Sequence, residues 1–249
     1  MATHFARGIL KHDHLIPLRL SDPCHSEANR LPEHRRIRFL ASRTLLAELM
    51  FMLYGIGTLP EIITLPDGRP RFKDELLPRF SLTYTGNMVG VALTTEGECG
   101  LDMELQRASH GFQLPRVTEK PTFSSNETLW INNQNDPNEA RSQMTTLRRS
   151  VLKLSGNLHN TDPAFLQLQP GAGRLRLATP APIEAICDAE DVLVWSVAVS
   201  PAIERLKIWE YDSLHGWTSL PDAHSRINEP AGRLMRFTSL PTEKGFTLN

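Results

Sequence analysis

Apolar residues recur at Phe39, Leu40, Leu45, Leu46, Leu49, Met50 and Leu53, a spacing of three and four that predicts an amphipathic helix from about His34 to Tyr54. Gly55-Ile56-Gly57 ends it. The period then shortens: Leu59 to Leu65, with its Ile62-Ile63 pair, reads as a strand closed by the turn Pro66-Asp67-Gly68. Phe80 to Leu82 and Met88 to Thr94 read as strands joined through Tyr84-Thr85-Gly86-Asn87, and Gly100 to Leu105 continues that sheet. Ala108 to Thr122, broken by Gly111, Pro115 and Pro121, reads as a connector. Beyond it, Ser124 or Ser125 is suited to cap a helix starting near Asn126. Glu139 to Leu154 returns to the helical spacing through Ala140, Met144, Leu147, Val151 and Leu152, and stops at Gly156.

Four further strands are expected at Phe165 to Leu168, Arg174 to Leu177, Val192 to Val199 and Leu206 to Tyr211. The pair Val192 to Val199 and Leu206 to Glu210 echoes Met88 to Thr95 and Gly100 to Leu105, so a helix-then-sheet plan would occur twice. From Asp212 to Asn249 the chain is polar, carries Pro221, Pro230 and Pro241, and shows no period. Partial disorder or a surface wrapping is the expectation there.

Candidate chemistry begins at Gly100-Leu101-Asp102-Met103-Glu104-Leu105. In a strand, Asp102 and Glu104 share one face and Leu101, Met103 and Leu105 the other. Two carboxylates on one face suit a magnesium ion that also holds substrate phosphates, although a half-exposed acidic edge has the same pattern. Cations cluster in three places: Arg30, Arg35, Arg36, Arg38 and Arg43 around the start of the first long helix, Arg69, Arg71 and Lys73 beside the Gly68 turn, and Arg148, Arg149 and Lys153 late in the second. Guanidinium forks match phosphate oxygens, and a helix start favours anions.

Composition narrows the choice. The 249 residues carry 27 basic and 28 acidic side chains, a net charge of −1, which argues against a broad nucleic-acid or membrane surface. Three scattered cysteines fit a reducing cytoplasm, and the nine histidines form no zinc-ligand spacing. The first twenty residues lack a signal-peptide core, and the apolar stretch at Leu45 to Ile56 is short and interrupted by Glu48. No Gly-x-Ser-x-Gly elbow or glycine-rich phosphate loop occurs, so side chains must hold any phosphate.

The order of motifs is Ala41-Ser42-Arg43, Gly68-Arg69-Pro70-Arg71-Phe72, Phe80-Ser81-Leu82-Thr83-Tyr84-Thr85-Gly86, Gly100-Leu101-Asp102-Met103-Glu104 and Phe123-Ser124-Ser125-Asn126-Glu127. From roughly Arg30 to Gly156 this resembles the 4′-phosphopantetheinyl transferase superfamily of the long, surfactin-synthetase-activating type, and within it the enterobacterial members related to holo-acyl-carrier-protein synthase. The resemblance implies an α+β fold of two similar halves about a pseudo-twofold axis: residues 1–111, residues 112–211, and an extension over 212–249. It also implies a cytoplasmic monomer that binds coenzyme A and magnesium between the halves. Such an enzyme moves phosphopantetheine to a serine of an acyl or peptidyl carrier protein.

Carried over position by position, the resemblance implies Asp102 and Glu104 as metal ligands and catalytic groups. Arg43 becomes a coenzyme-binding arginine, Arg35, Arg36 and Arg38 become cations for the 3′-phosphate, and Arg69 stands for the lysine of a Gly-Lys-Pro turn. Thr83 and Tyr84 occupy the Ser-His-Ser-Gly segment, with tyrosine in the place of histidine. The motif Trp-x-x-Lys-Glu-Ala-x-x-Lys reads Thr145-Thr146-Leu147-Arg148-Arg149-Ser150-Val151-Leu152-Lys153, so Arg148 and Lys153 keep the cations while Arg149 replaces the glutamate. Either Glu127 or water substitutes for that carboxylate, or the chain is a non-catalytic protein that binds coenzyme A or a carrier protein.

Overall fold

The computed structural model describes residues 2–11, 15–106, 123–179, 181–223 and 233–240. The connector expected at Ala108 to Thr122, and with it the boundary between the two expected halves, lies outside the described residues. The elements are β1 (Ala2–Ile9), α1 (Asp22–Asn29), α2 (Glu33–Tyr54), β2 (Ile62–Thr64), β3 (Pro70–Phe72), β4 (Arg79–Thr85), β5 (Met88–Thr94) and β6 (Glu98–Leu105). They continue as α3 (Ser125–Asn132), α4 (Pro137–Leu154), β7 (Leu166–Gln169), β8 (Arg174–Leu177), β9 (Glu184–Ala189), β10 (Leu193–Ser200), β11 (Arg205–Asp212), β12 (Gly216–Ser219) and β13 (Met235–Ser239). The class is α+β, as the sequence implied.

Local chemistry sets the helix ends. Pro32 precedes α2, and Gly55 closes it in the left-handed conformation at φ 69°. The Ser124 side chain caps α3 in a reciprocal box with Glu127. Asp136 accepts the first free amides of α4, from Asn138 and Glu139, and Pro137 occupies the first turn.

Two sheets carry the molecule. The first has the order β12-β11-β1-β5-β4 and the second β6-β10-β9-β13-β8-β7; β2 and β3 form a separate ribbon around the Pro66–Gly68 turn. Helix α2 covers the first sheet, with Leu45, Leu46, Leu49 and Met50 against Val89, Val91 and Phe80. Helix α4 covers the second, with Met144, Leu147 and Val151 against Leu166, Ala185 and Val194. Between the sheets lies a third core of Phe5, Ala92, Leu101, Met103, Ile186, Trp195, Val197, Leu206 and Ile208. Each central strand therefore buries both faces, one on a helix and one on the other sheet.

The expectation that Gly100 to Leu105 continues the sheet of β4 and β5 is corrected, because β6 pairs with β10 and forms an edge of the second sheet. The chain leaves the first sheet after β5 and enters the second as β6; it leaves the second after β10 and returns to the first as β11, parallel to β1. Each sheet thus takes strands from both ends of the sequence.

The segment expected to be disordered or superficial differs from that reading. Residues 212–223 include β12 at the edge of the first sheet, and β13 sits inside the second, antiparallel to β9 and parallel to β8. Phe237 of β13 is fully buried against the α4 core. Its partners are far away in sequence, so no local pattern announces it.

Candidate functional site

Edge strands β4 of the first sheet and β6 of the second meet side by side, and the last turns of α4 lie across β6. Gly100 makes this approach possible: a Cβ there would stand 2.0 Å from the Ser150 carbonyl oxygen and 2.8 Å from the Leu154 amide nitrogen. The helix backbone comes close enough for its side chains to reach the carboxylate two residues further along β6.

Asp102 and Glu104 share the α4-facing side of β6, while Leu101 and Met103 enter the core between the sheets. Asp102 is only 4% exposed. Its Oδ1 accepts a hydrogen bond from Lys153 Nζ at 2.9 Å, and Arg149 Nε lies 3.3 Å from its Oδ2. Lys153 Nζ also donates to the Leu101 carbonyl at 2.8 Å and to Thr83 Oγ1 at 3.3 Å, so one ammonium ties β4, β6 and α4 together. Burial pulls the Lys153 pKa below the usual lysine value; Asp102 opposes that shift, and the nearby Arg149 adds to it. Glu104, half-buried, accepts from Ser142 Oγ at 3.1 Å.

Lys153 also lines a cleft of about 220 Å³. Arg69, Arg71, Arg79 and His159 add cationic or protonatable groups to its wall, with Asp67 and Glu98 as the acidic ones. Arg69 is fixed by Asp67 at 2.7 Å and by the Leu154 carbonyl at 2.6 Å, which fastens the Gly68 turn to the end of α4. Its hydrogen bonds hold the Asp67 carboxyl below the usual range.

The remaining expected residues separate into two groups. Tyr84 is exposed on the α2 side of β4, where the Arg38 guanidinium stacks 4.5 Å from its ring centroid. Arg43 lies 3.5 Å over Phe39, and burial lowers its pKa, whereas Arg35 is exposed and Arg36 half-exposed on the first turns of α2. None of these four arginines lines the cleft.

Glu127 and Arg148 form a buried pair of their own. Glu127 is 0% exposed; one oxygen accepts from Arg148 Nη2 at 2.6 Å and from the Leu168 amide at 2.9 Å, and the other from the Ser124 amide at 2.7 Å. Arg148 Nη1 donates to the Leu166 carbonyl at 2.7 Å. These bonds bind α3, α4 and β7 together, and neither Glu127 nor Arg148 lines the cleft: the carboxylate has no exposed surface, and its oxygens are taken by three donors.

The donor set does not fit the magnesium centre expected from the sequence. Each Asp102 oxygen already faces a cation, Glu127 is sealed in the core, and Arg149 stands where the resemblance called for a carboxylate. Among the described residues no three His, Cys, Asp or Glu side chains converge. Sequence reasoning also missed Arg79 and His159. Arg79, Ser81 and Thr83 alternate along one face of β4, a signal that could have revealed the first; His159 follows α4 with no local pattern.

Fold and site together define an α+β protein with a cation-lined cleft where two sheets meet. No family model matches the chain. It is 67% identical over 249 residues to the uncharacterized protein YieE of Escherichia coli strain K12, covering all of both chains, and equally so to YieE of a second Escherichia coli strain. The chain belongs to the YieE family. A shorter similarity, 38% identical over 73 residues, covers 29% of this chain and 34% of the 4′-phosphopantetheinyl transferase AcpT of Escherichia coli strain K12. Among the described residues, no helix is long and apolar enough to cross a membrane.

Proposed function

We propose that this protein binds coenzyme A in the cleft and transfers its 4′-phosphopantetheine group to a serine of an acyl or peptidyl carrier protein, as a holo-acyl-carrier-protein synthase does. The observation that carries the reading is Lys153, half-buried where β4, β6 and α4 meet, bonded to Asp102 and Thr83 and opening on a wall of Arg69, Arg71 and Arg79. Such a wall suits a pyrophosphate, because guanidinium and ammonium groups stabilise charge on phosphoryl oxygens without reorganising during reaction. The partial similarity to a 4′-phosphopantetheinyl transferase supports the same class.

In the proposed reaction the carrier serine Oγ attacks the phosphorus on the pantetheine side. Its bond to the bridging oxygen breaks, and adenosine 3′,5′-bisphosphate leaves with the electron pair. Glu104 is assigned to accept the serine proton, because Glu127 is sealed in the core and Asp102 is held between two cations. The protein is taken to act as a monomer.

A second reading, non-catalytic binding of coenzyme A or a carrier protein, is favoured by Arg149 standing where a carboxylate was expected. Intact-mass measurement of apo acyl- and peptidyl-carrier proteins after incubation with the protein and coenzyme A separates the two. Transfer adds one phosphopantetheine to the carrier, and Glu104→Gln lowers the rate by about 10²-fold or more. Coenzyme A binding with no gain on any carrier in the panel would leave the binding reading.

A further inference from the structure

We propose that Arg149 takes the place of a divalent metal ion at Asp102, so that a pyrophosphate binds without magnesium where Asp102 and Arg149 adjoin the cleft through Lys153. The inference rests on the coenzyme reading for its natural ligand, and on the Asp102 geometry for its mechanism. A carboxylate as buried as Asp102 needs matching positive charge. Here two monovalent cations supply it: Lys153 Nζ at 2.9 Å from Oδ1 and Arg149 Nε at 3.3 Å from Oδ2. One carboxylate with these two cations carries a net charge of plus one, the same as one carboxylate with a magnesium ion. The electrostatic task of a metal at this strand is therefore already performed by side chains.

Arg149 is also suited to face a ligand. Its side chain is 53% exposed, and its one hydrogen-bonding or ion-pairing partner among the described residues is Asp102, through Nε. The two terminal nitrogens keep their donors for phosphate oxygens, which a planar guanidinium grips in pairs. A magnesium ion entering at Asp102 would meet two fixed positive charges and would have to displace one of them. Lys153 is fastened by two further acceptors and Arg149 by none, so Arg149 is the group whose replacement should open the site to metal.

The test is calorimetric titration of the full-length protein with coenzyme A and, separately, with inorganic pyrophosphate, each in EDTA and in millimolar magnesium. The expected result is that wild-type affinity for both probes in EDTA stays within about threefold of that in magnesium, because the guanidinium supplies the charge. Arg149→Glu should weaken pyrophosphate binding in EDTA by about tenfold or more, and magnesium should restore it, since removing a cation and adding an anion creates the missing carboxylate site. Arg149→Lys, which keeps the charge, should stay insensitive to EDTA.

Wild-type pyrophosphate binding that falls tenfold or more in EDTA would overturn the proposal, as would Arg149→Glu binding as well as wild type in EDTA. Melting temperatures of the variants separate misfolding from lost binding, and the wild-type comparison in EDTA decides the matter without any variant. Metal-independent binding of pyrophosphate with no binding of coenzyme A would reject the coenzyme reading and leave the metal-free anion site standing; binding of neither probe would reject both.

Discussion

Arg148 and Arg149 are adjacent in sequence, yet the first is sealed against Glu127 and the second lies over Asp102 with half its surface in water. A helix turns about 100° per residue, so adjacent side chains leave it in different directions and meet different neighbours. The same dependence on surroundings governs His4. Its Nδ1 accepts the Trp209 indole N–H at 3.0 Å, which requires an unprotonated nitrogen there, and burial together with Lys207 holds its pKa down to about 4 from 6.5. The unfolded chain therefore binds more protons than the folded one between those values, and stability must fall as pH drops through that window. The contribution is complete above pH 6.5 and lost as pH falls toward about 4. For this half-buried ring the loss should be on the order of 1–2 kcal/mol once solvent screening is allowed for. His4→Gln offers a similar acceptor without the titration. Urea midpoints followed from neutral to acid pH should fall less steeply in that variant, and parallel curves for the two proteins would reject the assignment. Residue types were legible in the sequence to a useful degree: Lys153 and Arg69 line one cleft, and Asp102 and Thr83 bond to Lys153. What could not be read was which carboxylate is buried with its own arginine, because Glu127 and Arg148 meet only through folding.

At the scale of elements, the site depends on the contact of α4 with β6. At Gly100 the helix backbone comes so close to the strand that a Cβ would stand 2.0 Å from the Ser150 carbonyl oxygen, and Lys153 and Arg149 both reach Asp102 beside this contact. Gly100→Ala should force the helix outward, costing about 1–3 kcal/mol as overpacking does, and should weaken coenzyme A binding by separating Lys153 from Asp102. Denaturation and calorimetry on the same sample check both; a stable variant with unaltered binding would show that α4 has slack at this contact. The strongly periodic helices α2 and α4 were legible within a few residues, as were β5, β6, β8, β10 and β11. By contrast β1 and β9 were not. Ala2–Ile9 mixes Thr3, His4 and Arg7 with apolar residues, and Glu184–Ala189 includes the buried Asp188, so neither alternates. Both are interior strands flanked on each side, and their burial comes from neighbours rather than from local pattern.

Across the whole molecule, the sheets are closed by segments from the far ends of the chain. Strand β1 binds β11, and Arg7 on it pairs with Glu210 at 2.7 Å and with Glu190 at 2.8 Å. Strand β13 comes from a stretch whose polarity suggested a loose extension, because only its central residue reaches the deep core. Phe237 opposes Ala185 on β9 and belongs to the same buried cluster as Leu166, Leu175 and Val151. If β13 is structural in this sense, Phe237→Ala leaves a cavity beneath α4 and should cost about 3–5 kcal/mol, the range for truncating a fully buried phenylalanine. The loss should appear in the single cooperative unfolding transition, because the same core supports α4 and with it Lys153 and Arg149. Coenzyme A binding to the fraction that remains folded should change little, since Phe237 does not line the cleft. A cost below about 1 kcal/mol, within the range of ordinary surface substitutions, would instead return the tail to the superficial role its sequence suggests.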